Sequence, residues 1–462
     1  MIELGLQRIS RLLSNTALPW RAIHVAGTNG KGTVCYLTSE MLEAYNRSHF
    51  RINRQQALIK HGRFTSPHLV DRWDCITFNN PETSAMKVVR EDVFLEEERA
   101  VKEVDQKQKI QASEFELLTA TAFSLFTQQA LDVAVVEVGL GGRLDATNVI
   151  GESVSGSTET KLIRKRFNPA KWRPPPLITA ITQIGLDHQG FLGNTKAEIA
   201  MQKAGIMKPR TPVTWTPDSE LDTVFHERAN HLDAPVLERR DLPFLNSQDR
   251  GSDARAINGE LATISAWTAL SGLGRVPDPQ EAVQSGTDLQ ALVTDWQDIV
   301  QNHVFPGRQE FVSVEPVIGR PRTILLDGAH NEDGIRLLTN TVDSRLRAGS
   351  KPVIWLLALS QSTDRAPEKI LKSLVHEGDR VMAVEFGPVD GMPWVTPRAC
   401  GEIVEAVNTL HAGLDARAHG KDLKSAIVEA CHLADEVQGE VVVCGSLYLA
   451  GDVHRLIRTS AS

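Results

Sequence analysis

The sequence predicts an α/β protein built from two parallel-sheet domains, on three observations. Short apolar runs alternate with longer amphipathic stretches, the pattern of strands and helices feeding a mostly parallel sheet. The chain has 462 residues, enough for two or three domains with full cores. Hydrophobic residues make up 41% and charged residues 23%, the balance of a globular protein and not of a disordered one.

Buried strands are expected over 22–26, 133–138, 178–184, 323–326, 353–357, 380–384 and 441–444, each a short apolar run. Helices are expected over 33–44, 115–129, 197–204, 259–271, 334–347 and 423–434, where apolar residues recur at helical spacing. Phe305-Pro306-Gly307-Arg308 closes a long amphipathic stretch and precedes a fresh set of strands. A boundary is therefore expected near residue 303, giving domains 1–303 and 304–462.

Composition narrows the function. No apolar run reaches the ~18–20 residues of a membrane helix, so no membrane partner is expected. The first residues, with Glu3 among them, lack a signal-peptide layout. Five cysteines (Cys35, Cys75, Cys400, Cys431, Cys444) are odd in number and lack CxxC spacing. That argues against a disulfide scaffold and a zinc site and favours a reducing compartment. A cytoplasmic location is expected, with a mitochondrial pool left open. The net charge of −8 argues against a dedicated nucleic-acid binder. Basic charge is local: 44–63 carries five Lys/Arg and no acid, and 151–176 carries six against two Glu. Both segments are read as solvated surface insertions in preference to polyanion sites. The second ends in Pro174-Pro175-Pro176, which fits neither regular helix nor central strand.

The most informative local feature is the strand 22–26 running into Gly27-Thr28-Asn29-Gly30-Lys31-Gly32-Thr33 and then a helix. A strand, a Gly-rich turn and a helix N-terminus together cradle phosphates, because backbone N–H groups and the helix dipole face the anion. Lys31 is placed to neutralise phosphate charge and Thr33 to meet Mg²⁺. The loop departs from GxxxxGK[ST]: Val25 stands at the first Gly position, and Gly32 separates Lys31 from Thr33. Glu137 ends another apolar run, where open α/β sheets hold ligands, and is a candidate Mg²⁺ ligand. Asp187-His188 follow a third run, and Ser66 in Thr65-Ser66-Pro67-His68-Leu69 is a candidate hydroxyl ligand. Lys203 lies on an expected helix. In the second domain, Asp327 in Leu325-Leu326-Asp327-Gly328-Ala329-His330-Asn331 can accept from ribose hydroxyls, and Arg308 can bond phosphates. These residues together describe a nucleotide site to which both domains contribute.

In this order the segments resemble the Mur ligase superfamily, in its folylpolyglutamate synthase and dihydrofolate synthase branch. The matching blocks are GTNGKGT (27–33), TSPHL (65–69), SEFELLTATAF (113–123), EVGLGGRLDATN (137–148), GLDHQGFLGNT (185–195), IAMQKAGIMKP (199–209), FPGR (305–308) and LLDGAHN (325–331). The start of the chain, GMPWVTP (391–397) and VVVCGSLYLAG (441–451) resemble the fungal dihydrofolate synthases in particular, so the likeness spans nearly the whole chain. It implies a P-loop ATPase-like first domain and a Rossmann-like ligase second domain. The family joins the amine of L-glutamate to a carboxylate on a pterin-containing acid at the expense of ATP, through an acyl phosphate.

Carried over block by block, the resemblance implies that Thr28, Asn29, Gly30, Lys31, Gly32 and Thr33 hold the ATP phosphates. Asn258, Arg308 and Asp327 would contact ATP, with His330 a further contact. Ser66, Glu137 and His188 would ligand Mg²⁺. Lys203 matches a lysine that the family carbamoylates, and a monovalent cation such as K⁺ belongs to the same chemistry. Lys31, Lys203 and His188 are the expected catalytic set. The pterin substrate would lie against Glu3, Leu4 and Gly5, against Ser113, Glu114, Phe115 and Glu116, and against Leu144, Asp145 and Ala146. A monomer is expected. Gln202 departs from the family, where many bacterial members carry Glu, and segments 44–63 and 151–176 lengthen two links.

The leading reading is a dihydrofolate synthase, joining L-glutamate to 7,8-dihydropteroate. Its alternatives are a folylpolyglutamate synthase acting on tetrahydrofolate, a bifunctional enzyme, and an ATP-binding protein without catalysis. Asn29 and GMPWVTP favour the first, because eukaryotic polyglutamate synthases often carry Lys at the Asn29 position, while Gln202 leans slightly the other way.

Overall fold

The structure is a computed structural model that describes residues 5–80, 82–83, 85–151, 173–242, 245, 254–278, 287–302, 304–347, 351–361 and 367–461. The chain forms two compact units, one of Met1–His68 and Trp73–His303, the other of Leu69–Arg72 and Val304–Ser462.

The first unit is built on a seven-stranded sheet of order β4-β3-β2-β5-β1-β6-β7. Its strands are β1 (Arg21–Ala26), β2 (His61–Phe64), β3 (Ile76–Asn80), β4 (Ala85–Val88), β5 (Val133–Glu137), β6 (Ile178–Ile181) and β7 (Val213–Trp215). The pairs β2–β5, β5–β1, β1–β6 and β6–β7 are parallel. β3 and β4 add an antiparallel edge. Alternation along each strand divides the core into two faces. Ile23, Val25, Val133 and Val135 pack under the helices Lys31–Arg47, Ala254–Gly272 and Thr287–Asn302. Ala22, Ala134 and Val136 face the helices Gln7–Leu12, Glu91–Gln108 and Glu114–Gln128. Helix starts follow local chemistry. Ser113 and Glu116 form a reciprocal capping box at Glu114–Gln128, and Thr195 and Glu198 form another at Lys196–Lys203.

The reading of 44–63 as a solvated insertion is corrected in part: residues 52–55, 57, 58 and 60 are exposed, but the segment also enters the core. Tyr45, Phe50 and Ile59 are fully or almost fully buried in the first core face. Two of its five cations bond within the segment: Arg51 donates to the carbonyls of Asn46 (2.6 Å) and Gln56 (2.7 Å), and Arg54 stacks on Phe50 at 3.8 Å. Segment 151–176 lies mostly outside the described residues. The first three residues of β2 are the last three of 44–63, so that segment leads into the sheet itself.

The second unit holds a six-stranded sheet of order β12-β11-β10-β13-β9-β8. Its strands are β8 (Glu310–Ser313), β9 (Thr323–Leu326), β10 (Val353–Leu357), β11 (Arg380–Val384), β12 (Asp415–Gly420) and β13 (Glu440–Cys444). Only β8 runs antiparallel to its neighbour. Four residues from far upstream complete this unit, which differs from the expectation of an unbroken first domain over 1–303. Leu69 packs into its core, Arg455 donates to the Val70 carbonyl at 2.8 Å, and Arg458 and Arg72 pair with Asp71 and Asp390 at 2.9 Å. A Cβ on Gly451 would stand 1.8 Å from the Leu69 carbonyl oxygen, so only glycine admits this backbone.

Among the described residues no helix is long and apolar enough to cross a membrane, and all five cysteines are free and buried.

Candidate active site

β1 delivers its chain to Gly27 at the carboxyl edge of the sheet, and the helix Lys31–Arg47 begins four residues later. Gly27 and Gly30 take φ of 152° and 90°. A Cβ on Gly27 would lie 1.7 Å from Thr182 Oγ1, and one on Gly30 would lie 2.4 Å from Asn258 Oδ1. Both glycines are therefore required by their surroundings as well as by their backbone. Asn258, more than two hundred residues downstream on Ala254–Gly272, is thereby placed against the phosphate loop. The segment after β6 laces the loop in place. Thr28 N–H donates to the Gln183 carbonyl at 2.8 Å, Thr182 Oγ1 donates to the Asn29 carbonyl at 2.7 Å, and Gly185 N–H donates to Thr28 Oγ1 at 3.0 Å. Thr182 and Gln183 were not expected as site residues, although polar groups at the carboxyl end of a parallel strand are the signal that marks them. Gly32 and Thr33 lie half-buried in the first helical turn.

Lys31 extends over the loop, its Nζ donating to the Thr28 carbonyl at 3.2 Å and standing 4.0 Å from Glu137 Oε1. Glu137, last residue of β5, is buried, and its Oε2 accepts from Ser66 N–H at 3.1 Å. The phosphate loop, Glu137 and the Ser66 loop thus converge. Lys203 joins them from below: it is buried, and its Nζ donates to the Gly27 carbonyl at 2.6 Å. Burial, then the Lys31 charge, brings the Lys203 pKa down to about 7, with Asp187 and Asp145 opposing. His188 sits in the left-handed region (φ 53°) with its ring half-exposed, 3.9 Å from Asp187 Oδ2. Such a backbone is uncommon for a non-glycine residue and recurs where a site imposes it.

The donor set suits a hard divalent cation. Mg²⁺ takes one or two protein oxygens and completes its shell with phosphate and water, and Glu137 with the Ser66 hydroxyl offers oxygens of that kind. Among the described residues no three His, Cys, Asp or Glu side chains gather into a closed metal cage.

The residues expected at the pterin divide. Glu3 and Leu4 lie outside the described residues, and a Cβ on Gly5 would stand 2.8 Å from Gln7 Oε1. Ser113 and Glu116 are turned on each other. Glu116 Oε2 accepts from Ser113 N–H and Oγ–H, both at 2.8 Å, and from Arg8 Nε at 2.9 Å. Phe115 packs close to Gly139, where a Cβ would stand 2.3 Å from the ring, while Glu114 is half-buried at the helix start. Asp145 and Ala146 are buried and Leu144 half-buried. Arg143 N–H donates to the Gln202 carbonyl at 2.8 Å, and its Nε reaches Gln202 Oε1 at 3.4 Å. Gln202→Glu is therefore expected to keep activity within about twofold, since it trades a weak hydrogen bond for an exposed ion pair of ~0–1 kcal/mol. Steady-state kinetics and a melting curve check it.

In the second unit, Asp327 follows β9 and is buried. Its Oδ2 accepts from Gln309 N–H at 2.8 Å and its Oδ1 from Ala329 N–H at 2.6 Å. Burial raises its pKa, and the Arg308 charge opposes the rise. Gly307 N–H donates to Glu310 Oε2 at 2.7 Å, and His454 Nε2 meets the same oxygen at 2.9 Å. His330 Nδ1 is 2.8 Å from the Gly328 carbonyl, so that nitrogen carries the proton. The turn bearing Arg308 is thus held from both sides by carboxylates.

The sequence is 34% identical over 475 residues to a protein of Schizosaccharomyces pombe described as a probable dihydrofolate synthetase, covering 99% of each chain. It is 31% identical to the dihydrofolate synthetase of Saccharomyces cerevisiae, covering 98% of each. The chain belongs to the dihydrofolate synthase and folylpolyglutamate synthase family. Residues 310–456 of this ligase match the family model for the dihydrofolate synthetase C-terminal domain. Its fold is that of solved family members. A Mycobacterium tuberculosis folylpolyglutamate synthase complexed with ADP aligns with TM-score 0.69 at 24% identity, covering 99% of this chain and 95% of that one. E. coli FolC in complex with DHPP and ADP aligns with TM-score 0.67 at 21% identity, covering 100% and 95%.

Proposed function

We propose that this ligase is a dihydrofolate synthase that joins L-glutamate to 7,8-dihydropteroate with cleavage of ATP to ADP and phosphate. The observation that carries the choice of acceptor is the full-length likeness to two fungal dihydrofolate synthetases. Convergence of Lys31, Glu137 and Ser66 on the phosphate loop supports the use of ATP.

The pteroate carboxylate and the ATP γ-phosphate are both anions, so their approach needs positive charge in place beforehand. Lys31 and the loop N–H groups supply it on the phosphate side. A bound Mg²⁺, held by Glu137 and Ser66 with His188, would supply further charge neutralisation. A carboxylate oxygen attacks the γ-phosphorus and ADP leaves. The neutral amine of glutamate then attacks the acyl carbon, losing a proton as phosphate departs. Asn258 is proposed to contact the nucleotide beside Gly30, and Arg308, Asp327 and His330 are proposed contacts from the second unit. The acceptor is proposed to rest on the turn 144–146. The protein is proposed to act as a cytoplasmic monomer.

Lys203 is proposed to be carbamoylated. With a pKa of about 7, much of it is the neutral amine that reacts with CO₂, and the carbamate would replace a buried cation beside Lys31 with an anion. K⁺ is proposed as an accessory cation on resemblance alone. A signed pH dependence follows for the unmodified lysine. Between about pH 7 and a lysine's ordinary value the unfolded chain holds the extra proton, so stability rises with pH through that window. Urea midpoints of the CO₂-free protein are expected to rise from pH 6.5 to 9 on this account, and Lys203→Met is expected to abolish that slope. A resonance from ¹³C-bicarbonate that is missing in Lys203→Met would establish the carbamate.

ADP release with L-glutamate and Mg²⁺, with dihydropteroate or tetrahydrofolate as acceptor, tests the function. Turnover only with tetrahydrofolate would transfer the assignment to a folylpolyglutamate synthase, and silence with both would leave an ATP-binding protein.

A further inference from the structure

His24 lies in the middle of β1, beside Val136 of β5 and Thr179 of β6, with no exposed surface. An imidazole in an apolar strand interior is costly unless its nitrogens are bonded. Its Nε2 is 2.9 Å from Thr147 Oγ1, and Thr147 Oγ1 is 2.6 Å from Asp145 Oδ1. The same carboxylate accepts from Thr147 N–H at 2.9 Å and from Leu140 N–H at 2.8 Å.

The direction of this chain follows from its proton count. Burial pushes the Asp145 carboxyl pKa up, while the N–H bonds it accepts from Leu140 and Thr147 favour the ionised form. An ionised carboxylate only accepts, so the single hydroxyl proton of Thr147 goes to Asp145. Thr147 Oγ1 then remains as acceptor for an Nε2–H of His24. Among the described residues Nδ1 has no partner, so the ring is held at one nitrogen only, by this chain. Burial, with the Lys208 charge beside it, brings the imidazole pKa down to about 3, so the neutral tautomer is the working form. Asp145 in turn bolts both ends of the loop after Glu137, Leu140 at its start and Thr147 at its close. The strand that presents the phosphate loop is thereby wired to the turn 144–146, three side chains away.

We propose that His24 is a positioning residue for the acceptor subsite, acting through Thr147 to set Asp145 and the turn 144–146. The proposal rests on the reading that this turn carries the pterin-bearing acid. It assigns His24 no contact with any substrate, and it predicts an effect on dihydropteroate and not on ATP.

The test is steady-state ADP release by the full chain, varying dihydropteroate and ATP separately. Thr147→Val, nearly isosteric but without the hydroxyl, is expected to raise KM for dihydropteroate about tenfold while KM for ATP moves less than about twofold. Thr147→Ser, which restores the hydroxyl, is expected to return KM to within about threefold of the parent. His24→Leu should reproduce Thr147→Val, and the double variant should add nothing, because both break one chain. Parallel rises of both KM values, a fall in melting temperature with KM unchanged, or failure of Ser to rescue would each overturn the proposal. A parent protein that releases no ADP with dihydropteroate would instead refute the functional reading, and the proposal with it.

Discussion

Glu137→Gln is expected to lower kcat about a hundredfold to a thousandfold, the cost of deleting one preorganised electrostatic group, while the fold survives. The substitution is nearly isosteric. Its amide oxygen still accepts the Ser66 N–H bond that Glu137 Oε2 accepts at 3.1 Å, so the Ser66 loop keeps its place. What disappears is the negative charge 4.0 Å from Lys31 Nζ and the carboxylate oxygen best suited to a divalent cation. Removal of charge alone should therefore appear in kcat and in the Mg²⁺ concentration needed for half-activity. KM for dihydropteroate should change little. Glu137→Asp keeps the charge but draws it back by one methylene, and is expected to fall between parent and Gln. Turnover and Mg²⁺ titration of the two variants check this, with melting curves as a control. An unchanged kcat in a folded Glu137→Gln protein would remove this residue from the chemistry.

Much of this site was legible in the sequence because its parts are local. Gly27 to Thr33 is one contiguous turn, and a carboxylate ending an apolar run, as Glu137 does, announces itself. Asn258 and Lys203 needed the family resemblance, since one is an ordinary helical Asn and the other reads as a solvated lysine. Burial of Lys203 against the Gly27 carbonyl is a tertiary event that no periodicity encodes.

Strands illustrate the same division. β10 and β13 are continuous apolar runs and are evident. β2 reads His-Gly-Arg-Phe, which carries no strand signal. It is buried only because its polar groups find partners on the helix Lys31–Arg47: His61 meets Glu43 at 3.0 Å, and Arg63 donates to Ser39 at 2.8 Å and stacks on Tyr36 at 4.7 Å. Those compensations lie 18 and 24 residues away in sequence, beyond the reach of a local pattern. The same blindness made 44–63 look like a solvated basic segment throughout, because the carbonyls of Asn46, Phe50 and Gln56 that take Arg51 and Arg54 are supplied only by the folded turn.

Asp379→Ala is expected to be the most destabilising single substitution in the second unit, by about 3–5 kcal/mol, the cost of removing one partner from a buried ion pair. The carboxylate has no exposed side-chain surface and serves five donors. Arg347 Nη1 and Nη2 reach it at 2.7 and 2.6 Å, and Val353 N–H, Trp355 Nε1 and His376 N–H each donate at 2.9 Å. It therefore joins the helix Glu332–Arg345, through the following Arg347, to the starts of β10 and β11. Truncation leaves a guanidinium with little exposure and several N–H groups without an acceptor, and a melting temperature lower by roughly 10 °C is expected. Asp379→Asn keeps the shape but must turn an amide N–H₂ toward donors, so it should recover only part of the loss. The pH dependence separates charge from shape. Burial alone would raise the Asp379 pKa, but the Arg347 pair and the donated N–H bonds outweigh it and leave the carboxyl below its usual value. A carboxyl depressed in the folded state contributes stability above its unfolded pKa and loses it as pH falls through the folded one. The parent should thus lose this contribution below about pH 4, while Asp379→Asn shows a flatter acid limb in urea unfolding. An equally steep limb in both proteins would show that Asp379 holds the second unit by shape alone.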